Sequence, residues 1–124
     1  MKKYIFVVSL LCLLAACTGK RQGEAAAEVA ALPAVEDVVM YQVNPRVFAP
    51  EKSFKAVERR LDSIQALGIN VVWFMPINEV GQEKSVNSPY CVKDYKGVNP
   101  EFGTLDEFKA LVATCHQKGM NVTG

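Results

Sequence analysis

Residues 88–108 read SPYCVKDYKGVNPEFGTLDEF, and this segment decides how the chain is organised. A run with the character of a buried strand ends before it at Ile77, and an amphipathic helix begins inside it at Thr104. The connection has about two dozen residues, and loops of that length usually bind something or are disordered. The loop carries two tyrosines and an aspartate at short spacing: Tyr90, Asp94 and Tyr95. This spacing favours a binding loop.

The composition fits one small globular domain. Of the 124 residues, 50% are hydrophobic and 22% charged, a balance typical of folded chains. The formal net charge is +1, and without residues 1–16 it is −1, from twelve basic and thirteen acidic residues. The sequence has no basic stripe interleaved with aromatic residues, and it therefore favours no nucleic-acid partner.

The N-terminus has the pattern of a processing signal. Two lysines precede an apolar run over 5–14 that is too short to span a bilayer. The run ends in LAAC at 14–17, which resembles the lipobox of bacterial lipoproteins. In that class cleavage falls before the cysteine, and lipid on Cys17 holds the protein at a membrane. We predict a signal peptide over 1–16, a tether over 17–36 and lipid anchoring at the bacterial cell envelope, in the outer membrane. An ordinary secretory signal is the alternative.

Two cysteines remain for the folded part, because Cys12 leaves with the signal and Cys17 takes the lipid. Cys91 lies in the long loop, and Cys115 lies about three turns into the following helix. The two are on the order of 15 Å apart along the helix axis, which is too far for a disulfide. We predict that both are apolar filling residues, and no metal-ligand spacing occurs.

From residue 38 onward the apolar pattern alternates between strand and helix. Strands are predicted over 38–43, 69–77 and from 120, and helices over 53–67 and 104–118. Ser53 is expected to cap the first helix, and Thr104 with Glu107 has the spacing of a capping box. The continuously apolar second strand is expected to be buried on both faces. Leu105 is expected on the buried face of the second helix. The order predicts an α/β fold with a parallel sheet.

Short motifs follow one another in fixed order along the same part of the chain. They are VMYQ at 39–42, RVF at 46–48, LGINVVW at 67–73, MPI at 75–77, SPY and DY within 88–95, NP at 99–100, FGT at 102–104, His116 and GMNV at 119–122. Together they resemble the opening of the alpha-amylase family, glycoside hydrolase family 13. The resemblance implies that residues 37–124 are the N-terminal portion of a (β/α)8 TIM barrel. This incomplete portion holds strands one and two, helices one and two, and the start of strand three.

The resemblance also implies a function. Family members are retaining glycosidases of alpha-glucans, and their two reacting carboxyl groups lie about 5 Å apart. They use an Asp after strand four, a Glu after strand five and a second Asp after strand seven. We therefore expect no catalytic residue in this chain, no catalysis by it alone and poor independent folding. No cofactor is implied; calcium occurs in some full-length members, and no complete calcium site is present here.

Three residues gain roles from the resemblance. Tyr90 matches the aromatic platform that stacks under the sugar beside the scissile bond, and local packing is the alternative. Asp94 matches an acidic position in the same loop, where a structural role is favoured over catalysis. Because Arg46 and Asp94 follow strands at the same end of the barrel, we expect them to pair and to support the loop.

Three further side chains are weaker candidates. Glu79 and Glu83 have the chemistry of an acid and a base, but glutamates in a polar loop are usually solvated. His116 lies near a helix end without catalytic partners nearby in sequence, which favours a structural role. The loop glycines form no phosphate-cradling pattern.

The main prediction is a lipid-anchored glycosidase of the alpha-amylase family, with an alpha-glucan or maltooligosaccharide as its partner. The first alternative is a membrane-tethered, non-catalytic glycan-binding lipoprotein that uses Tyr90 and Tyr95. The second is a small α/β lipoprotein without a sugar role, in which the aromatic loop only packs.

Overall fold

The computed structural model describes residues 30–124, so the predicted signal peptide and Cys17 lie outside the described residues. A short 3-10 turn over Val35–Asp37 precedes the sheet. The strands are β1 (Met40–Val43), β2 (Val71–Phe74) and β3 (Asn121–Thr123). The helices are α1 (Pro45–Phe48), α2 (Ser53–Glu58), α3 (Leu61–Ala66) and α4 (Leu105–Gln117). The predicted alternation of strand and helix is confirmed.

The three strands form a parallel sheet in the order β1-β2-β3. Side chains alternate between the two faces of a strand, and the register aligns Met40 with Val71 and Val71 with Asn121. The helix face carries Tyr41, Val43, Val72, Phe74 and Val122, which pack in the core with the helices. The other face, which we call the open face, carries Met40, Gln42, Val71, Trp73, Asn121 and Thr123, of which Val71 and Asn121 are buried.

The hydrophobic core lies between the helix face and helices α2, α3 and α4. Its buried members are Val43, Phe54, Val57, Leu61, Ile64, Val72, Phe74, Phe102, Leu111, Cys115 and Met120. Phe108 lies at the centre of an aromatic group, with ring centroids 5.0 Å from Phe54 and 5.4 Å from Phe74. Such tilted and edge-on contacts add to the energy of burial. The core therefore fixes α2 and α4 on one side of the sheet.

Two expectations about burial are wrong. Trp73 is 40% exposed in the part of the barrel that the structure describes, so β2 is not buried on both faces along its whole length there, although Val71 on the same face is buried. Trp73 belongs to the open face, and residues 30–124 place no helix there. Leu105 is 43% exposed, because it is the first residue of α4 and precedes the part of the helix that covers the sheet.

The first predicted helix is two helices, and its cap differs from the expectation. The N–H of Arg60 donates to the carbonyl of Val57 at 2.8 Å, and this three-residue spacing tightens the turn between α2 and α3. Lys52 occupies the cap position with a left-handed φ of 50°. Ser53 is instead the first residue of the helix, and its buried hydroxyl donates to the carbonyl of Pro45 at 2.6 Å.

The capping box of α4 is confirmed. The N–H of Glu107 donates to Thr104 Oγ1 at 3.1 Å, and the N–H of Thr104 donates to Glu107 Oε2 at 2.8 Å.

Within the predicted tether, the Ala31 carbonyl accepts a hydrogen bond from Asn121 Nδ2 at 3.2 Å. Among residues 30–124, no helix combines the length and the apolar character needed to cross a bilayer.

Candidate functional site

All three strands end at the same edge of the sheet, and a long loop (residues 75–104) follows β2 there. In parallel α/β folds, ligands bind at the carboxyl ends of the strands, where the connecting loops meet. The candidate site is therefore at this edge, and the loop after β2 forms most of it.

The loop is held by a short antiparallel ladder. Val80 forms an isolated bridge with Val92, the N–H of Gly81 donates to the Cys91 carbonyl at 2.7 Å, and the N–H of Lys93 donates to the Glu79 carbonyl at 2.8 Å. We call residues 79–93 the hairpin. A salt bridge of 2.8 Å between Lys93 Nζ and Glu79 Oε1 lies across its base.

Asn78 precedes the hairpin and forms hydrogen bonds to the residues that follow it. Its Nδ2 donates to the carbonyls of Gly97 at 2.7 Å and Asp94 at 3.2 Å. Asp94 Oδ1 accepts the N–H of Lys96 at 2.9 Å, which is the hydrogen bond of an Asx turn. A side chain at Gly97 would place its Cβ 3.0 Å from Asp94 Oδ2. Asp94 thus lies at a tight turn next to the hairpin.

An aromatic cavity of about 340 Å³ opens at the ends of the strands. Trp73 from the open face, Val92 from the hairpin and the two loop tyrosines, Tyr90 and Tyr95, contribute to its wall. Tyr90 is 64% exposed, so its ring is accessible to a ligand. Cavities with aromatic walls suit the apolar faces of sugar rings, and the hydroxyl of a tyrosine adds a polar group.

The expected pairing of Arg46 with Asp94 is wrong. Arg46 Nη1 donates instead to the main-chain carbonyl of Asn87 at 2.9 Å, and the Asp94 carboxylate accepts the N–H of Lys96 within its own turn. The two residues follow different strands, and the hairpin provides Arg46 with an acceptor of its own. Each side chain therefore contacts the loop, but at a separate place.

The other candidate side chains lie away from the aromatic cavity. His116 lines a neighbouring cavity of about 430 Å³ together with Phe108 and Val112 of the same helix. Glu79 is engaged by Lys93, and Glu83 is exposed. The structure does not bring Glu79 and Glu83 together around a shared ligand position.

The two cysteines of the described region have different surroundings. Cys91 follows Tyr90 and is exposed, so its prediction as an apolar filling residue is wrong; Cys115 is buried in the core. Burial, with a smaller contribution from the negative charge of Glu58, raises the pKa of the Cys115 thiol from 9.0 to about 11, while Lys118 opposes the shift. Both thiols are free.

Sequence reasoning missed two residues of the site. Trp73 was assigned to a doubly buried strand, although the alternation of side chains along β2 was the signal for its different face. Asn78 has no distinguishing spacing, because its two acceptors are main-chain carbonyls of the folded loop.

Within residues 30–124 no group of three or more His, Cys, Asp or Glu side chains could hold a metal ion.

Comparison with known proteins identifies the family. Residues 51–123 match the catalytic domain of alpha amylase. The chain belongs to the alpha-amylase family. A solved maltogenic alpha-amylase from Thermotoga neapolitana superposes with a TM-score of 0.67 at 32% identity, over 71% of this chain and 22% of that one. The described strands and helices are therefore the N-terminal portion of a (β/α)8 barrel, as the sequence predicted.

Proteins with different names are similar to this chain. It is 29% identical to an oligo-1,6-glucosidase of Halalkalibacterium halodurans over 92 residues, which are 70% of this chain and 16% of that protein. It is 35% identical to the human amino acid transporter heavy chain SLC3A1 over 88 residues, which are 67% of this chain and 12% of that protein. The chain thus spans less than a fifth of the length of these relatives.

Proposed function

We propose that this chain is the sugar-binding opening portion of an alpha-glucan glycosidase. In this proposal the aromatic cavity holds one glucosyl unit of a maltooligosaccharide, and Tyr90 stacks against the apolar face of its ring. Asn78 and Asp94 keep the loop in shape, and Arg46 attaches the hairpin to the residues that follow β1. Bond cleavage then follows the retaining mechanism that the resemblance implies.

One observation carries the proposal. An exposed tyrosine lies on an aromatic cavity at the carboxyl edge of a parallel sheet, in a chain whose residues 51–123 match an alpha-amylase catalytic domain. Sugar binding at that edge is what such a cavity is suited to. The oligo-1,6-glucosidase and alpha-amylase relatives support an alpha-linked glucan as the ligand class.

We propose that the chain by itself binds sugar without cleaving it. Retaining hydrolysis needs two carboxyl groups about 5 Å apart on either side of the scissile bond. In the described part, Glu79 forms a salt bridge, Asp94 closes a turn, and Glu83 does not line the aromatic cavity. The carboxylates that the resemblance implies follow strands four, five and seven.

A binding experiment tests the proposal. Maltotriose is titrated into the 124-residue chain and followed by tyrosine and tryptophan fluorescence, with Tyr90→Ala and Tyr90→Phe as variants. We expect Tyr90→Ala to weaken binding about tenfold, equivalent to about 1.4 kcal/mol, and Tyr90→Phe to retain most of it, since the stacking ring remains. Equal affinity of Tyr90→Ala and wild type, or no binding by wild type, would contradict the proposal.

Non-catalytic glycan binding is the second candidate. The similarity to a transporter heavy chain favours its non-catalytic part, because that relative is named for transport and not for hydrolysis. Release of reducing sugar from maltoheptaose distinguishes the two candidates. A protein that contains this chain and the rest of a barrel releases glucose or maltose under the first, and it only binds under the second.

We propose lipid anchoring at the cell envelope as well. It rests on LAAC at residues 14–17, which follows an apolar run and two lysines. Expression in a bacterium with labelled palmitate tests it, with Cys17→Ser as the variant. We expect label and membrane association in the wild type only; an unlabelled wild-type protein would overturn this part of the proposal.

A further inference from the structure

A segment before β1 lies across the edge of the sheet at which the strands begin. We call this edge the amino edge and the segment (residues 31–39) the strap. Asn121, the first residue of β3, donates from Nδ2 to the Ala31 carbonyl at 3.2 Å. Asn70, directly before β2, donates from Nδ2 to the Asp37 carbonyl at 2.8 Å. The strap therefore passes the beginnings of β3 and β2 before the chain enters β1.

The strap determines where the predicted lipid anchor joins the domain. Thirteen residues, 18–30, separate Cys17 from Ala31, and a stretch of this length spans at most about 50 Å. A barrel of about 250 residues is itself about 45 Å across. If the carboxyl edge faced the bilayer, this stretch would have to run past the whole barrel at nearly full extension. With the amino edge toward the bilayer, no such extension is needed.

The amino edge also exposes large apolar side chains. On the strap, Leu32 and Val35 are 81% and 89% exposed. Leu67, which ends α3 shortly before β2, is 69% exposed. Single exposed apolar residues are ordinary, whereas several on one surface indicate a contact. Side chains of this kind enter the boundary between head groups and acyl chains of a bilayer.

The charges near the strap favour a lipid surface without net charge. Glu36 and Asp37 are exposed on the strap itself. Lys118, at the end of α4, already forms a salt bridge with Asp62. Because anionic lipids attract basic segments and repel carboxylates, these residues fit zwitterionic phospholipid better than an anionic surface.

We propose that the amino edge is the surface with which this protein rests on the membrane, with Leu32, Val35 and Leu67 in contact with zwitterionic lipid. The candidate site at the carboxyl edge then faces away from the bilayer, where a dissolved glucan can reach it. The inference rests on the proposed lipid anchoring and goes beyond it, because it states how the anchored protein is oriented.

The test compares how close each edge of the sheet lies to the bilayer. The lipidated chain is produced in a bacterium and placed in vesicles of phosphatidylcholine and phosphatidylethanolamine that carry a nitroxide quencher on the head group. A fluorophore is attached to Cys91, in the loop at the carboxyl edge, or to Gln117→Cys in a Cys91→Ser background. Gln117 is exposed at the end of α4, beside the amino edge, and the buried Cys115 should stay unlabelled. We expect loss of fluorescence for the label at 117 and none for the label at Cys91.

The contribution of the apolar side chains is tested with the label at 117. A double variant, Leu32→Ser with Val35→Ser, should lose most of the quenching. Val47→Ser is the matched control, because Val47 is 74% exposed but follows β1 at the carboxyl edge. The hydrogen bonds of the strap use main-chain carbonyls of other residues, so circular dichroism should show unchanged folding in both variants.

Three outcomes are distinguishable. Quenching at 117 alone, reduced in the double variant and unchanged in Val47→Ser, supports the inference. Equal quenching at both positions, stronger quenching at Cys91, or equal quenching in the double variant and the control overturns the inference and leaves lipid anchoring intact. A chain that does not associate with the vesicles overturns lipid anchoring and the inference together. Sugar binding is measured separately and is independent of all three outcomes.

Discussion

The two faces of the sheet differ in what their side chains do. On the helix face, Val72 and Phe74 are buried beneath α2 and α4. On the open face, Met40 and Trp73 are 47% and 40% exposed, and Trp73 reaches the aromatic cavity. Neighbouring residues of β2 thus have different surroundings, since one is packed in the core and the next lines a cavity. The consequence is that substitutions one position apart should have effects of different kind and size.

The largest expected effect is the loss of Phe74. Its ring is buried against Phe108, and truncation of such a core aromatic costs about 3–5 kcal/mol. Whole domains are stable by about 5–15 kcal/mol, and a portion of a barrel is expected to be less stable, so we expect Phe74→Ala to be largely unfolded. Trp73→Ala should cost much less, because part of its ring is already in water. Urea unfolding followed by circular dichroism measures both, and equal losses would remove the distinction between the faces.

Ser53→Ala should have a smaller effect within the helix face. Its buried hydroxyl donates to the carbonyl of Pro45, so the substitution leaves a carbonyl without that donor at a cost of about 1–3 kcal/mol. Ser63→Ala is the matched control, because Ser63 is exposed on α3. The same urea experiment compares them. A control variant that loses as much stability as Ser53→Ala would show that this buried hydrogen bond has no special importance.

The N-terminal cap of α4 should contribute less to stability than the hydrogen bond of Ser53. Thr104→Ala removes the acceptor for the N–H of Glu107, and loss of such a cap costs about 1 kcal/mol. Thr104→Ser keeps the hydroxyl and should restore most of the stability. The melting temperatures of wild type and both variants check this. If Thr104→Ser has the same melting temperature as Thr104→Ala, the methyl group of Thr104 stabilises the helix and the capping hydrogen bond does not.

Cys115 makes the stability of the chain depend on pH. Since burial raises the pKa of its thiol to about 11, the unfolded chain releases this proton above its ordinary pKa of 9.0 while the folded chain keeps it. The folded state then binds more protons, so stability is fully present below pH 9 and is lost as pH rises toward 11. Urea midpoints between pH about 8 and about 10 should fall more steeply in wild type than in Cys115→Ala.

Cys91, in the loop after β2, provides the contrast to Cys115. It is exposed next to Tyr90, whereas Cys115 is buried. An alkylating reagent should therefore modify Cys91 in the folded chain and Cys115 only after unfolding, because the reactive thiolate is disfavoured by burial. Peptide mass mapping with and without urea measures the two sites. Equal modification of both in the folded chain would contradict the assignment of Cys115 to the core.

Much of the fold and part of the site were predictable from the sequence. The parallel β-α-β order, the capping box at Thr104 and the family itself followed from apolar periodicity and ordered motifs, which are local properties of the chain. Tyr90 was selected as a candidate for the same reason. The exposure of Trp73 could not be predicted, because a continuous apolar run does not show which of its residues are covered by a helix.

Other features were decided only when the chain folded. Arg46 bonds to the carbonyl of Asn87 and not to Asp94, since the hairpin brings a main-chain acceptor closer than sequence spacing can indicate. Folding also brings Trp73, Tyr90 and Tyr95 to the wall of one cavity. Local sequence determines which helices and strands form, because propensity and capping act over a few residues. Which side chains share a cavity depends on contacts between residues far apart in the chain, and those exist only in the tertiary structure.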